Sequence, residues 1–190
     1  LIETEALVIR KYRGPKTDLV VVLATRDAGK VRAVAKGAQR SVRRFGGRLE
    51  HFVLLAVQIR DSGRELKMLV DCDTRTVFKR VMGDLALFAW GSFVLETLDV
   101  LVAEEAPERE TFDHAVATLG ALDRGEEPAA AAARFLLGAL ERAGWAPPFD
   151  AERLIGEDAA RAVAALARFA ERCTGATYNS LKLLGELERC

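Results

Sequence analysis

The chain has 190 residues, half of them apolar and 29% charged, which excludes a disordered tail or a fibrous repeat and allows one large or two small folded domains. Its formal net charge of zero hides a split: residues 1–80 carry 18 Lys+Arg against 9 Asp+Glu, and residues 81–190 carry 10 against 19. A division of +9 and −9 points to two bodies with different partners, the first suited to a polyanion.

The first 75 residues read as strands. Glu5–Tyr12 is rich in strand formers and ends at a Gly14-Pro15 turn. Asp18–Thr25 is a continuous apolar run, expected to be buried on both faces. After an Asp27–Lys30 hairpin, Lys30–Lys36 alternates, with Val31, Ala33 and Ala35 on one side and Lys30, Arg32, Val34 and Lys36 on the other. Phe52–Arg60 and Glu65–Asp71 supply a fourth and a fifth strand. Five short strands with turn signals between them suggest a small closed barrel, because closure removes exposed edges.

From about Thr76 the period becomes helical. Asp84–Val102 is expected to bury a stripe of Leu85, Phe88, Leu95, Leu98 and Val102. Further helices are expected at Glu108–Leu122, from Pro128 to near Gly144, at Glu157–Arg172 and at Ser180–Arg189. The fold class is therefore α+β: a barrel over 1–78, then an all-helical domain over 79–190. The most apolar stretch, Leu85–Val102, contains Glu96 and Asp99 and reads as a buried helix rather than a membrane span. The start of the sequence carries no secretion signal, and its lack of Met suggests a trimmed chain. Three widely spaced cysteines, Cys72, Cys173 and Cys190, form no CxxC pair and fit a reducing cytoplasm.

No catalytic set is visible. His51 and His114 fall in different bodies, and no GxSxG, HExxH or phosphate-binding Gly motif follows a strand. Asp71 and Asp73 lack a third metal ligand nearby, and Glu104, Glu105, Glu108 and Glu110 read as a solvated face between helices. The informative feature is a basic cluster: Arg10, Lys11, Arg13 and Lys16 at the first turn, Lys30, Arg32 and Lys36 on the third strand, and Arg40, Arg43, Arg44 and Arg48 in the loop beyond. No acid occurs between Asp27 and Glu50, so these charges are expected to be unpaired and to serve a phosphate backbone. Single-strand binding also needs rings, and Tyr12, Phe45, His51 and Phe52 are the supply. Phe45 is either a base platform or a loop anchor.

The order "EALVIRKY", "GKVRAVAKGAQRSVRRFGG", "LEHFVLLAVQI" resembles the RecO family of bacterial recombination mediators. So do "DLALFAWGSFVLETLDVLVAE", "FDHAVATLGAL", "RFLLGALERAGWAPPFD" and "TYNSLKLLGEL" downstream. The resemblance implies an N-terminal OB-type barrel, a helical body and a non-enzymatic role. Such proteins bind single- and double-stranded DNA, anneal complementary strands and act with RecR to help load RecA onto DNA coated by single-strand-binding protein. DNA contacts are then expected from Lys30, Arg32, Lys36, Arg40, Arg43, Arg44 and Arg48, from Arg10, Lys11 and Arg13, and from Phe45. The acidic tail of single-strand-binding protein is expected on the helical body, with Arg161, Arg168 and Arg172 as its basic rim. Many family members carry a four-cysteine zinc module after the segment matching "GWAPPFD"; here Asp150 runs on without cysteines, so the module is either lost or missing from this sequence, and no cofactor and no metal are expected. A cytoplasmic, nucleoid-associated protein is implied. Two competing readings are an OB-type adaptor whose basic face takes an acidic protein instead of DNA, and a nucleic-acid-modifying enzyme, which the lack of clustered carboxylates beside the basic face disfavours.

Overall fold

In a computed structural model, residues 1–40, 45, 47–61, 63 and 65–187 are described. Five strands come first: β1 (Ile2–Arg13), β2 (Leu19–Thr25), β3 (Gly29–Ala35), β4 (Val53–Arg60) and β5 (Lys67–Val77). They close into a barrel in the order β1-β2-β3-β5-β4, with β4 returning to β1. All contacts are antiparallel except β3 with β5, where Ala33, Val34 and Ala35 face Lys67, Met68 and Leu69 in parallel. This is the OB-type topology.

The alternation expected of β3 is present: Val31, Ala33 and Ala35 lie in the barrel core with Val8, Val21, Leu23, Leu55, Val57 and Ile59, while Arg32 is exposed. β2 buries every residue from Val21 to Thr25, as a two-sided strand must. β5 runs six residues beyond the expected Asp71, because Thr74, Thr76 and Val77 continue the pairing with β4 as far as Val53.

Helices follow: α1 (Lys79–Gly83), α2 (Leu85–Leu101), α3 (Arg109–Arg124), α4 (Pro128–Arg142), α5 (Ala151–Glu157), α6 (Ala159–Thr174) and α7 (Asn179–Leu187). The expected stripe is buried only in part, at Leu95, Leu98 and Val102. Leu85 and Phe88 are exposed, and Leu87, Ala89, Phe93, Val94, Leu95 and Leu98 are buried. A helix that is apolar all round has no periodicity from which its inner face can be read. The helix expected at Glu157–Arg172 is α6, whose cap is Asp158 with its carboxylate accepting from the Arg161 N–H, while the short α5 ahead of it was not expected. Asp150 caps α5 in the same way. Ala132 and Ala133 of α4 and Ala162, Ala167 and Ala170 of α6 lie in one core cluster, where small side chains let helix axes approach. Glu96 of α2 accepts hydrogen bonds from the Asn179 and Ser180 N–H groups and the Ser180 hydroxyl, and so caps α7.

Two compact units result, and their limits differ from 1–78 and 79–190. The barrel unit is Leu1–Val77 plus Val102–Phe112; the helical unit is Phe78–Leu101 plus Asp113–Cys190. The Val102–Phe112 segment is a strap on the barrel. Its Ala103 carbonyl accepts from the Lys30 N–H at 3.0 Å, and its Glu105 N–H donates to the Lys30 carbonyl at 3.2 Å. Gly29, at φ +68°, is required there, because a Cβ would meet the Ala106 carbonyl oxygen at 2.4 Å. No helix among the described residues is long and apolar enough to cross a membrane.

Candidate nucleic-acid interface

Two tight turns meet at one end of the barrel. The first joins β1 to β2: the Gly14 N–H donates to the Asp18 carbonyl, and Lys16 is held in the left-handed region at φ 57°. The second follows β3, where the Arg40 N–H donates to the Gly37 carbonyl. They are stitched together through Asp18 and Gln39. The Asp18 carboxylate accepts from the Gly37 N–H at 2.8 Å, the Gln39 N–H donates to the Thr17 carbonyl, and the Gln39 side-chain amide donates to the Asp18 carbonyl. Asp18 is thus engaged by backbone, and Arg13, Lys16, Lys36 and Arg40, on or next to these turns in the chain, are exposed. None of these four makes an ion pair among the described residues. Arg43 and Arg44 lie outside the described residues.

The other expected DNA contacts are differently placed, and the expectation of an unpaired cluster is corrected for three of them. Lys11 pairs with Glu50. Arg32 pairs with Glu65 at 3.1 Å and Glu104 at 3.2 Å. Arg48 donates to the Cys72 carbonyl at 3.0 Å and lies 3.6 Å from Asp73. The acids missing from residues 28–49 arrive from β5, its preceding turn and the strap. Glu104 and Glu105 are therefore no mere solvated face. Lys30 is half-buried under the strap, and Arg10 is exposed in a cross-strand row with Val22 and Arg32.

Lys67, which the sequence did not single out, is buried between Asp61 at 2.9 Å and Glu105 at 2.7 Å. The hydrogen bonds that Lys67 donates to these two carboxylates, Glu105 first, hold its pKa above the usual lysine value, and Lys67 in turn holds Asp61 below the usual carboxylate range.

Phe45 is the loop anchor. It is 2% exposed within the barrel core, so its ring is not offered to a base. Phe52 is also buried, and half-buried His51 has its Nδ1 at 3.0 Å from the Val8 carbonyl. Tyr12 remains, 49% exposed. It is one of the residues lining a groove of about 540 Å³, together with Lys11, Arg13, Ala38, Gln39 and the buried Phe45 and Leu49. A second groove, of about 390 Å³, has the opposite character: Glu3, Glu5, Asp27, Asp71 and Asp73 line it with Arg26 and Arg75.

In the helical unit, Arg161 and Arg168 border a groove of about 400 Å³ together with Arg153, Phe149, Leu154 and Ala165. Arg153 is tied to Glu157 at 2.7 Å. Arg172 does not line this groove; it lies over the Phe169 ring at 5.9 Å.

Among the described residues no three His, Cys, Asp or Glu side chains are arranged to hold a metal. Cys72 lies in the barrel core, where burial pushes its thiol up to about 11; Cys173 is exposed on α6, and Cys190 lies outside the described residues. These do not fit a four-thiolate zinc site.

The fold is thus a closed OB-type barrel with a cationic turn pair, followed in sequence by a helical unit. Residues 1–78 match the family model described as Recombination protein O N terminal, and residues 82–187 match Recombination protein O C terminal. The chain belongs to the recombination protein O family. It is 40% identical over 151 residues to the DNA repair protein RecO of Anaeromyxobacter dehalogenans (strain 2CP-C), covering 79% of this chain and 59% of that protein. It is 40% identical to the DNA repair protein RecO of Nocardioides sp. (strain ATCC BAA-499 / JS614), covering 79% and 62%. With that of Bifidobacterium animalis subsp. lactis (strain AD011) the identity is 36%, covering 79% and 64%. The matched region thus spans about three fifths of the length of these relatives.

Proposed function

We propose that the chain is a non-catalytic DNA-binding mediator of recombinational repair, working in the cytoplasm on the nucleoid. The barrel grips phosphates through Arg13, Lys16, Lys36 and Arg40, with Arg10 of β1 as a further contact and Arg43 and Arg44, outside the described residues, following in the sequence. The observation that supports the reading is the pair of stitched turns, on or beside which Arg13, Lys16, Lys36 and Arg40 are exposed while the Asp18 carboxylate is engaged by the Gly37 N–H. A rigid cationic end releases counterions from single and double strands alike and lowers the repulsion between two complementary strands, which favours annealing. Lys11, Arg32 and Arg48 are secondary, because a phosphate must first displace Glu50, Glu65 and Glu104, or Asp73.

The groove bordered by Arg161 and Arg168 fits an acidic peptide ending in an aromatic residue, the chemistry of the tail of single-strand-binding protein. RecR and RecA are the proposed further partners. The reading uses no metal, so chelation leaves binding unchanged.

The test is fluorescence anisotropy with labelled single- and double-stranded oligonucleotides over a salt series, comparing the wild type with Arg13, Lys16, Lys36 and Arg40 all changed to Ala. The expected result is weaker binding to every sequence and a shallower salt dependence. Unchanged binding in the variant overturns the reading and redirects the search to an acidic protein partner for this face.

A further inference from the structure

We infer that the groove beside Tyr12 is a nucleobase subsite, in which an unpaired base stacks on the Tyr12 ring and gives the barrel a preference for single over double strands. The inference rests on the phosphate grip proposed above and adds to it the part of the ligand that charge does not recognise.

The barrel unit holds four Phe and Tyr rings and no Trp. Phe45, Phe52 and Phe112 are each at most 2% exposed, and Tyr12 is 49% exposed. A lone exposed tyrosine on a strand needs no explanation by itself. Tyr12 differs through its surroundings. In register it faces Val20, which faces Val34, so its row of the outer barrel surface is apolar where the neighbouring row carries Arg10 and Arg32. Tyr12 is also among the residues that line the groove of about 540 Å³, within the range of about 300–1,000 Å³ typical of sites for small organic groups. Its Gln39 wall is fixed by the hydrogen bonds to Thr17 and Asp18, so the opening does not depend on a ligand to form it. Arg13 belongs both to this groove and to the cationic turn pair. A strand held there by its phosphates therefore passes the Tyr12 ring.

Only a single strand can use this arrangement. A paired base has its faces covered by its neighbours, and exposing one requires unstacking and unpairing. A ring has no donor or acceptor code for base edges, so the subsite discriminates strandedness rather than sequence.

The experiment compares the wild type, Tyr12→Ala, Tyr12→Phe and the double variant Lys36→Ala/Arg40→Ala. Each is titrated with a single-stranded oligonucleotide carrying a fluorescent purine analogue and with a labelled duplex. Stacking predicts that Tyr12→Ala weakens single-strand binding about tenfold and removes the quenching of the analogue. Duplex affinity and the salt slope stay as in the wild type, and Tyr12→Phe behaves as the wild type. Equal single-strand affinity in Tyr12→Ala, or an equal loss for both ligands, overturns the subsite while leaving the phosphate grip standing if the double variant still binds weakly. Should the double variant bind both ligands as the wild type does, the grip itself is overturned and the subsite with it.

Discussion

Two sides of one barrel use the same residue types to opposite ends. On the strap side, Arg32 and Lys67 meet Glu104, Glu105, Glu65 and Asp61, and Arg109 meets Asp27 at 2.8 Å. At the turn end, Arg13, Lys16, Lys36 and Arg40 are exposed, and the Asp18 carboxylate of the same turns is already bound to backbone. A cation in the first setting stabilises the fold and resists an incoming phosphate. In the second it raises the local potential and has nothing to give up when a ligand arrives. A count of arginines along β3 and its loop does not separate the two.

The widest break in this comparison would come from the core under the turn end. Phe45→Ala removes a ring buried at 2% exposure and should cost about 3 kcal/mol of stability in chemical denaturation. Tyr12→Ala, at 49% exposure, should stay within about 0.5 kcal/mol of the wild type. Equal losses would mean that the two rings of this groove share one role. Next in size is Lys36→Ala/Arg40→Ala, which should lower the salt slope of DNA binding by about 2, one for each phosphate contact, without moving the melting temperature. Arg32→Ala should lower it by less than a full contact. Glu104→Gln, which leaves Arg32 only Glu65, should strengthen DNA binding slightly; weaker binding would place Arg32 with the turn end instead.

The smallest expected effect concerns pH. Lys67 holds the folded-state pKa of Asp61 below its ordinary 3.8, so the stability contributed by the pair is present above that value and is lost as pH falls through the folded pKa. The stability gap between the wild type and Asp61→Asn should therefore hold near neutrality and close in acid, in melts taken from about pH 7 down to pH 3. A gap that widens in acid would mean that Asp61 is not held by Lys67.

The strands and the alternation of β3 were legible because period-two burial leaves its mark within a few residues, as with Val31, Ala33 and Ala35. The parallel pairing of β3 with β5 was not, since it depends on how the ring closes. Nor were the partners of Arg32. Glu65 and Glu104 lie 33 and 72 positions along the chain, and no local pattern links them to it. Phe45 had two readings because its neighbours, Arg44 and Gly46, describe a loop and say nothing about which way a ring turns. For α5 and α6 a signal did exist: Asp150 and Asp158 each stand three residues before an arginine whose N–H they accept. Tyr12 was visible as a ring, but only the burial of the other three gave it distinction.

The strap carries a consequence for the order in which the chain is made. The barrel's strands are complete at Val77, yet Lys67 waits for Glu105, and Gly29 for the backbone at Ala106. Between them lie α1 and α2, which belong to the other unit. During synthesis the ribosome therefore releases the ring well before its fastening, and the N-terminal unit is finished only after part of its neighbour has been made.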